Sequence, residues 1–163
     1  MTVASRLSEL GVTLPEPIAP AFHYAAVVES GGHAYVSGQL PKTGADHGML
    51  HVGRVPEEVS TDEARDCARL CVINAFSVLE SELGFGTLDR IERVVQVTGF
   101  VAAPPDFGAH PKVIDAASTF LTDVFGEAGR HARAAVGVAS LPRRSPVEIA
   151  FVFRLRPGAG APS

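Results

Sequence analysis

The sequence predicts an α/β (α+β) protein with one mixed sheet and two long helices on one face of it. Five apolar segments have strand character and two have helical periodicity, in the order ββαβαββ. Several strands are apolar on both sides, as in VVQVTGFV and VEIAFVF. The face of the sheet away from the helices must therefore be buried too, so we expect a homo-oligomer in which copies of the sheet cover one another.

Composition restricts the classes of partner. The chain has 163 residues, a net charge of −4 and no basic cluster beyond Arg143 and Arg144, so nucleic acids and anionic membranes are poor candidates. No apolar run approaches the roughly 20 residues of a membrane helix, and we see no secretory signal. Cys67 and Cys71 are four apart and share a helix face, which favours reduced thiols in a cytoplasmic protein.

We expect one domain over residues 1–157, with a helical extension at residues 1–17 and a flexible tail at residues 158–163. Within the extension, residues 3–10 have the pattern of a short helix. The segments FHYAAVVE and HAYVSGQL then predict two strands joined by a Ser-Gly-Gly hairpin turn. Residues 41–56 are rich in Gly and His and predict a long loop.

The first long helix has clear end signals. Ser60 and Glu63 have the spacing of a capping box, and Gly84 is the expected C-cap. Between them, apolar residues recur at helical spacing and predict one buried face. These residues are Ala64, Cys67, Ala68, Cys71, Val72, Ala75, Phe76 and Leu79.

The remaining elements follow without a further domain boundary. IERVVQVTGFVA predicts a strand that ends before Pro104. Residues 112–125 predict a second amphipathic helix that Gly126 ends. The stretch HARAAVGVASLPRRSPVEIAF, residues 131–151, supplies two more strands around a Pro-Arg-Arg surface turn.

Each of these last two strands carries one charge. By strand alternation, Arg133 shares a face with small residues, while Val136 and Val138 on the other face are expected to pack. In the next strand, Glu148 faces away from the expected packing face. That face is formed by Val147, Ile149, Phe151 and Phe153.

The residues alone leave two interpretations of this pair equally supported. Arg133 and Glu148 could form a structural salt bridge across adjacent strands, since a lone buried charge is costly. Alternatively, the planar guanidinium captures a ligand carboxylate and the glutamate orients or activates a water molecule.

Other kinds of site lack their residues. His47 and His51 have a metal-ligand separation but lie in the Gly-rich loop without further ligands, so we expect no metal site. The Gly84–Gly86 segment follows a helix instead of preceding one, which argues against a phosphate loop. No GxSxG elbow is present, so a Ser-His-Asp hydrolase is not expected.

The ordered set of motifs resembles the Rid (YjgF) family of reactive-intermediate imine deaminases. The C-terminal signature of that family, A-R-x-x-V, then Leu-Pro, then [IV]-E-[IV], is matched here by ARAAV, LP and VEI at residues 132–149. VSGQLP at residues 36–41 resembles the segment after the family's second strand, and Tyr24 falls where the family has a strand tyrosine. The match covers residues 18–155, and the longer N-terminus and 41–56 loop resemble a longer subgroup.

The resemblance implies a chorismate-mutase-like fold that assembles as a trimeric barrel with clefts between subunits. It implies hydrolysis of 2-imino or enamine acids to 2-keto acids and ammonia, without metal or organic cofactor. By the same resemblance, Arg133 anchors the substrate carboxylate and Glu148 positions the water. Tyr24 and Ser37 would line the pocket.

Four positions depart from the family pattern. Asp115 stands where the family often has Asn, and it would add negative charge near an anionic substrate if it faces the cleft. Ser118 replaces an aromatic residue, Ala135 a cysteine and His131 a proline; we expect His131 to be a neutral surface residue instead of part of the cleft rim. A non-catalytic keto-acid or carboxylate-binding protein therefore remains an alternative, and a ribonuclease role is disfavoured by the acidic charge.

Overall fold

The computed structural model describes residues 2–17, 23–44 and 48–157. The predicted tail at 158–163, His47 and the first residue of the FHYAAVVE segment lie outside these ranges. The elements are α1 (Val3–Glu9), β1 (Val27–Ser30), β2 (His33–Gln39), β3 (Lys42–Thr43), β4 (Gly48–Met49), α2 (Thr61–Leu83), β5 (Ile91–Ala102), α3 (His110–Phe125), β6 (Ala132–Val138) and β7 (Val147–Leu155). Short 3-10 turns occupy Thr87–Arg90, Gly126–Gly129 and Pro142–Arg144.

The main sheet confirms the predicted fold class. Five strands lie in the order β1-β2-β7-β5-β6, with β6 parallel to β5 and the other neighbours antiparallel. Both long helices pack on one face, and the side chains of β7 alternate between buried and part-exposed. The segment predicted as a plain loop differs, because a two-stranded ribbon, β3-β4, forms within it.

The helix ends follow the predicted signals. Ser60 Oγ accepts a hydrogen bond from the Glu63 backbone N–H at 3.2 Å, and a Glu63 carboxylate oxygen accepts one from the Ser60 N–H at 2.8 Å. Gly84 and Gly126 are the C-caps of α2 and α3, as predicted. No helix in the described ranges is long and apolar enough to cross a bilayer.

The first strand is shorter than predicted. Its ladder begins at Val27, so Tyr24 precedes the strand instead of lying in it. The preceding backbone is held by β2: Ser37 Oγ donates to the Ala25 carbonyl at 2.8 Å, and the Ser37 N–H donates to the Ala26 carbonyl at 3.0 Å. In the sequence FHYAAVVE, the apolar residues extend to the N-terminal side of Val27, where the regular pairing with β2 begins. The sequence pattern is therefore longer than the paired strand.

The core lies between the sheet and the two long helices. The ring of Phe76 on α2 contacts three aromatic rings, those of Phe120, Phe125 and Phe153. On β5, Gly99 lets α3 approach closely, since a Cβ there would lie 2.5 Å from Ile114 Cδ1. This close approach brings α3 over the edge strand β6, which positions the site described next.

Candidate functional site

Arg133 lies on β6, the edge strand, and points toward α3. Its Nη1 donates to Asp115 Oδ1 at 2.6 Å and to Ser118 Oγ at 3.1 Å. Its side chain is 24% exposed, and its Nε and Nη2 groups donate to none of the residues that the structure describes. One edge of the guanidinium fork is therefore held by the protein, and the other edge is available to a ligand.

The prediction of which face of β6 packs against the protein core was wrong. The small residues beside it make room for α3: Ala135 packs against the core, and a Cβ on Gly137 would lie 2.4 Å from His110 Nε2. Val136, which was expected to pack, is 43% exposed on the face away from the helices. The alternation was predicted correctly, but the two sides of β6 were exchanged.

Ser118 and His131 extend the contacts of Arg133 into a chain of hydrogen bonds. His131 Nδ1 lies 2.6 Å from the Gly129 carbonyl, which can only accept, so Nδ1 carries the proton. His131 Nε2 then accepts from the Ser118 hydroxyl at 3.0 Å, and the Ser118 oxygen accepts from Arg133.

His131 is a neutral member of this chain. Burial lowers the pKa of His131, the hydrogen bond to Gly129 opposes that effect, and the nearby Arg133 charge lowers the pKa further. The sequence predicted a neutral surface residue; the structure agrees on the neutral state, but the side chain is partly buried and hydrogen-bonded to Ser118. Arg133 is therefore held in place without a second positive charge beside it.

Glu148 lies on β7 and faces away from the helices, as predicted. Its carboxylate takes the space that a side chain at position 38 would fill: a Cβ on Gly38 would lie 1.9 Å from Glu148 Oε1. Within the described ranges it has no hydrogen-bond or ion-pair partner, and burial raises the pKa of Glu148. It is a half-buried, unpaired carboxyl group, which suits a proton acceptor.

Gly38→Ala is expected to impair the imine hydrolysis that the family resemblance implies more than it impairs the stability of the fold. The new Cβ displaces the end of the flexible Glu148 side chain, so activity should fall about 10- to 100-fold while the free energy of unfolding changes by no more than about 1 kcal/mol. Gly108→Ala is the matched control, because a Cβ at Gly108 meets nothing within 4 Å. Equal activity of the two variants, measured by product formation, would contradict the placement of Glu148.

Glu148→Gln is expected to stabilise the fold at neutral pH. The raised pKa means that the folded protein binds more protons than the unfolded chain between the two pKa values, so the free energy of unfolding falls as pH rises through that window. Removing the charge should raise Tm by about 2–4 °C near pH 7.5 and hardly at all near pH 4.

Thermal melts at the two pH values test this, with the exposed Glu82→Gln on α2 as control. A gain that is the same at both pH values, or a loss near pH 7.5, would show that desolvation of Glu148 does not cost stability.

Arg133 and Glu148 do not meet within one chain. Strand β5 lies between β6 and β7, so the structural salt bridge across adjacent strands, one of the two interpretations that the residues left open, does not form within one chain. Glu148 is in register with Phe100 on β5, and Phe100 is in register with Val136 on β6. Because Val136 lies three residues after Arg133, the Cα atoms of Arg133 and Glu148 are about 14 Å apart. Arg133 is in register with the buried Val97 on the helix side, whereas Glu148 is on the open side.

The other residues predicted for the site, Ser37, Tyr24 and Asp115, lie in different parts of the structure. Ser37 follows the buried Val36 and so lies on the same side of the sheet as Glu148, with its hydroxyl donated to the Ala25 carbonyl. Tyr24 is 52% exposed. Asp115 faces Arg133 and pairs with it, which the sequence left undecided. Within 2–17, 23–44 and 48–157, no three His, Cys, Asp or Glu side chains are grouped to hold a metal ion.

Comparison with known proteins places this architecture in a family. Residues 4–154 match the family model described as "YjgF/chorismate_mutase-like, putative endoribonuclease". The chain belongs to the YjgF family. The Rid resemblance of its motifs is thereby confirmed, as is the chorismate-mutase-like fold.

Relatives in the YjgF family match this chain over nearly its full length. It is 42% identical to the protein TCP17 of Trypanosoma cruzi over 94% of both chains. It is 40% identical to the crystal structure of Atu1372 from Agrobacterium tumefaciens, described as of unknown function, with a TM-score of 0.84 and coverage of 94% and 92%. A Shewanella oneidensis structure described as a "putative endoribonuclease" is 30% identical, with a TM-score of 0.87 and coverage of 95% and 100%.

Proposed function

We propose that this protein is a cofactor-free hydrolase that converts reactive 2-imino or enamine acids to 2-keto acids and ammonia. The observation that carries the proposal is the state of two charged side chains: among the described residues, Arg133 has two unused donor groups, and Glu148 has an unpaired carboxylate with a raised pKa. A site that binds an anion and activates a water needs these two functions.

The chemistry requires little from the protein because an imine is already electrophilic. The Nε–Nη2 edge of Arg133 is suited to hold the substrate carboxylate through two parallel charge-assisted hydrogen bonds. Glu148 accepts a proton as water attacks the imine carbon, and the proton is then delivered to nitrogen. The hydroxyl proton of the resulting carbinolamine is then transferred to nitrogen as the C–N bond breaks, so ammonia leaves, the carbonyl of the 2-keto acid forms, and the reaction consumes one water and no cofactor.

The site is proposed to lie between subunits of a homotrimer. Arg133 and Glu148 are too far apart to act on one small molecule within a chain, so each cleft would take Arg133 from one protomer and Glu148 from the next. The open face of the sheet carries exposed apolar side chains that such an assembly would cover. These include Val28 (51% exposed), Tyr35 (48%) and Val136 (43%).

Ammonia release tests the function directly. An amino acid oxidase with catalase generates 2-imino acids from a panel of amino acids, and the initial rate of ammonia formation is compared with and without the protein. We expect acceleration over the buffer reaction for at least one imino acid. No acceleration for any of them, with the protein folded and oligomeric, would refute the proposal.

The same assay separates the main alternative. In a protein that only binds small carboxylates, Arg133 would serve equally, because Asp115 and Ser118 hold its guanidinium whether or not Glu148 takes part in chemistry. Keto-acid binding that survives Glu148→Gln, in a protein whose wild type does not accelerate ammonia release, would favour this alternative. Ammonia release that falls in Glu148→Gln while binding survives would favour catalysis.

A further inference from the structure

Asp115 and Arg133 form an ion pair in which each side chain keeps hydrogen-bonding atoms that no described residue uses. Asp115 uses Oδ1 for Arg133 Nη1, while Oδ2 accepts from no residue in the described part of the chain, and the Asp115 side chain is 56% exposed. Arg133 keeps Nε and Nη2 free. The surface beside β6 therefore offers a donor fork and an acceptor oxygen next to each other.

The hydrogen-bond partners of this ion pair, Ser118 and His131, add no further charge to it. Ser118 fixes Nη1 from the side opposite the free edge of the fork, and Ser118 is in turn fixed by His131. Because His131 donates from Nδ1 to the Gly129 carbonyl and accepts at Nε2, it contributes no charge. This hydrogen-bonded cluster therefore presents one positive and one negative charge, those of Arg133 and Asp115.

Such a pair distinguishes ligands by the charge next to their carboxylate. A keto acid carries only a negative charge, so its attraction to Arg133 is opposed by Asp115. A 2-iminium acid or an α-amino acid carries a protonated nitrogen one bond from the carbon that bears the carboxylate. That nitrogen can approach Asp115 Oδ2 while the carboxylate occupies the free edge of Arg133.

We propose that Asp115 makes this site selective for zwitterionic ligands, in which a protonated nitrogen stands beside a carboxylate, over keto acids. The inference rests on the proposed function for the role of Arg133 as the carboxylate anchor. In catalysis, Asp115 would favour the protonated imine, which is the more electrophilic form, and would disfavour the keto-acid product once nitrogen has left. Asp115 is thus a specificity-determining residue of the same cleft.

Calorimetric binding of matched ligand pairs tests the proposal without any reaction. The pairs are alanine and pyruvate, 2-aminobutanoate and 2-oxobutanoate, and leucine and 4-methyl-2-oxopentanoate, titrated into the wild-type oligomer and into Asp115→Asn. For at least one pair, the wild type should bind the amino acid more tightly than the keto acid. Asp115→Asn should shift the ratio of the two Kd values about tenfold or more toward the keto acid, since a unit charge at this range is removed.

Asp123→Asn is the matched control, because Asp123 is an exposed aspartate two turns along the same helix. It should leave the ratio at the wild-type value. A ratio that is unchanged in Asp115→Asn, or absence of binding of every ligand to both proteins, would overturn the proposal.

The binding test of Asp115 and the ammonia-release test of the proposed function can fail separately. A zwitterion preference that depends on Asp115 in a protein that releases no ammonia would refute hydrolysis alone. Ammonia release with a ratio that does not respond to Asp115→Asn would refute the selectivity alone.

Discussion

Arg133→Ala is expected to reduce kcat/KM for ammonia release by about 10²–10³-fold. The substitution removes the whole donor fork, so the substrate carboxylate loses its anchor and the imine carbon loses its fixed position relative to the attacking water. Rates from the coupled oxidase assay at several substrate concentrations give kcat/KM.

The fold should survive this substitution. Arg133 is on an edge strand and is bonded to an exposed partner, Asp115, so removal of this ion pair is expected to change the free energy of unfolding by about 1 kcal/mol or less. Sedimentation should show the wild-type oligomer, and thermal melting should show a near-wild-type Tm.

Arg130→Ala provides the matched control. Arg130 lies three residues earlier, its side chain is 72% exposed, and its ion-pair partner is Glu127 in the same turn. Its replacement should leave kcat/KM within about twofold of the wild type, as for a surface residue away from the site. If Arg133→Ala retained the activity of Arg130→Ala in an intact oligomer, Arg133 would not be the anchor.

Local sequence patterns were sufficient for the five strands of the main sheet, the two long helices and their order along the chain, but not for the β3-β4 ribbon. The capping box at Ser60 and Glu63 and the glycine caps are decided by a few neighbouring residues, so they could be predicted from the chain alone. The packing side of β7 was also predictable, because large apolar residues alternate with Glu148, Ala150 and Val152.

The side of β6 could not be predicted because its residues are small or apolar on both sides. Ala135 and Gly137 meet α3 only because Gly99 allows the helix to approach, and this is a tertiary effect. The neighbours of β6 were likewise not determined by the sequence, and the salt-bridge interpretation assumed that β6 and β7 are adjacent. A short turn between β6 and β7 suggests a hairpin, yet the β5-α3-β6 crossover places β6 parallel to β5, and β7 pairs with the other side of β5.

The network around Arg133 had a weak signal in the sequence. Asp115 and Ser118 are three residues apart on a predicted helix and so share a face. Together with His131, they were also recognisable as departures from the family pattern. What the sequence did not contain was the register that places this face over Arg133, which depends on how α3 packs on the sheet.

The separation of Arg133 and Glu148 leads to a prediction about mixed oligomers. Arg133→Ala and Glu148→Gln should each be nearly inactive alone, because every cleft of the proposed homotrimer would lack one of the two groups. In a mixed trimer, a cleft that takes Arg133 from a Glu148→Gln protomer and Glu148 from an Arg133→Ala protomer is complete. Every trimer that contains both variants, in either two-to-one ratio, has one such cleft among its three equivalent clefts.

The measurement is ammonia release by mixed trimers. The two variants carry different tags and are co-expressed, and trimers that contain both variants are isolated by successive purification through the two tags. The two variants purified separately and mixed without reassembly serve as the control. We expect recovery from near zero to about a third of the wild-type rate, because each trimer that holds both tags has one complete cleft among its three; native mass spectrometry checks that composition. Mixed trimers that remain as inactive as the separate variants would contradict a site shared between protomers.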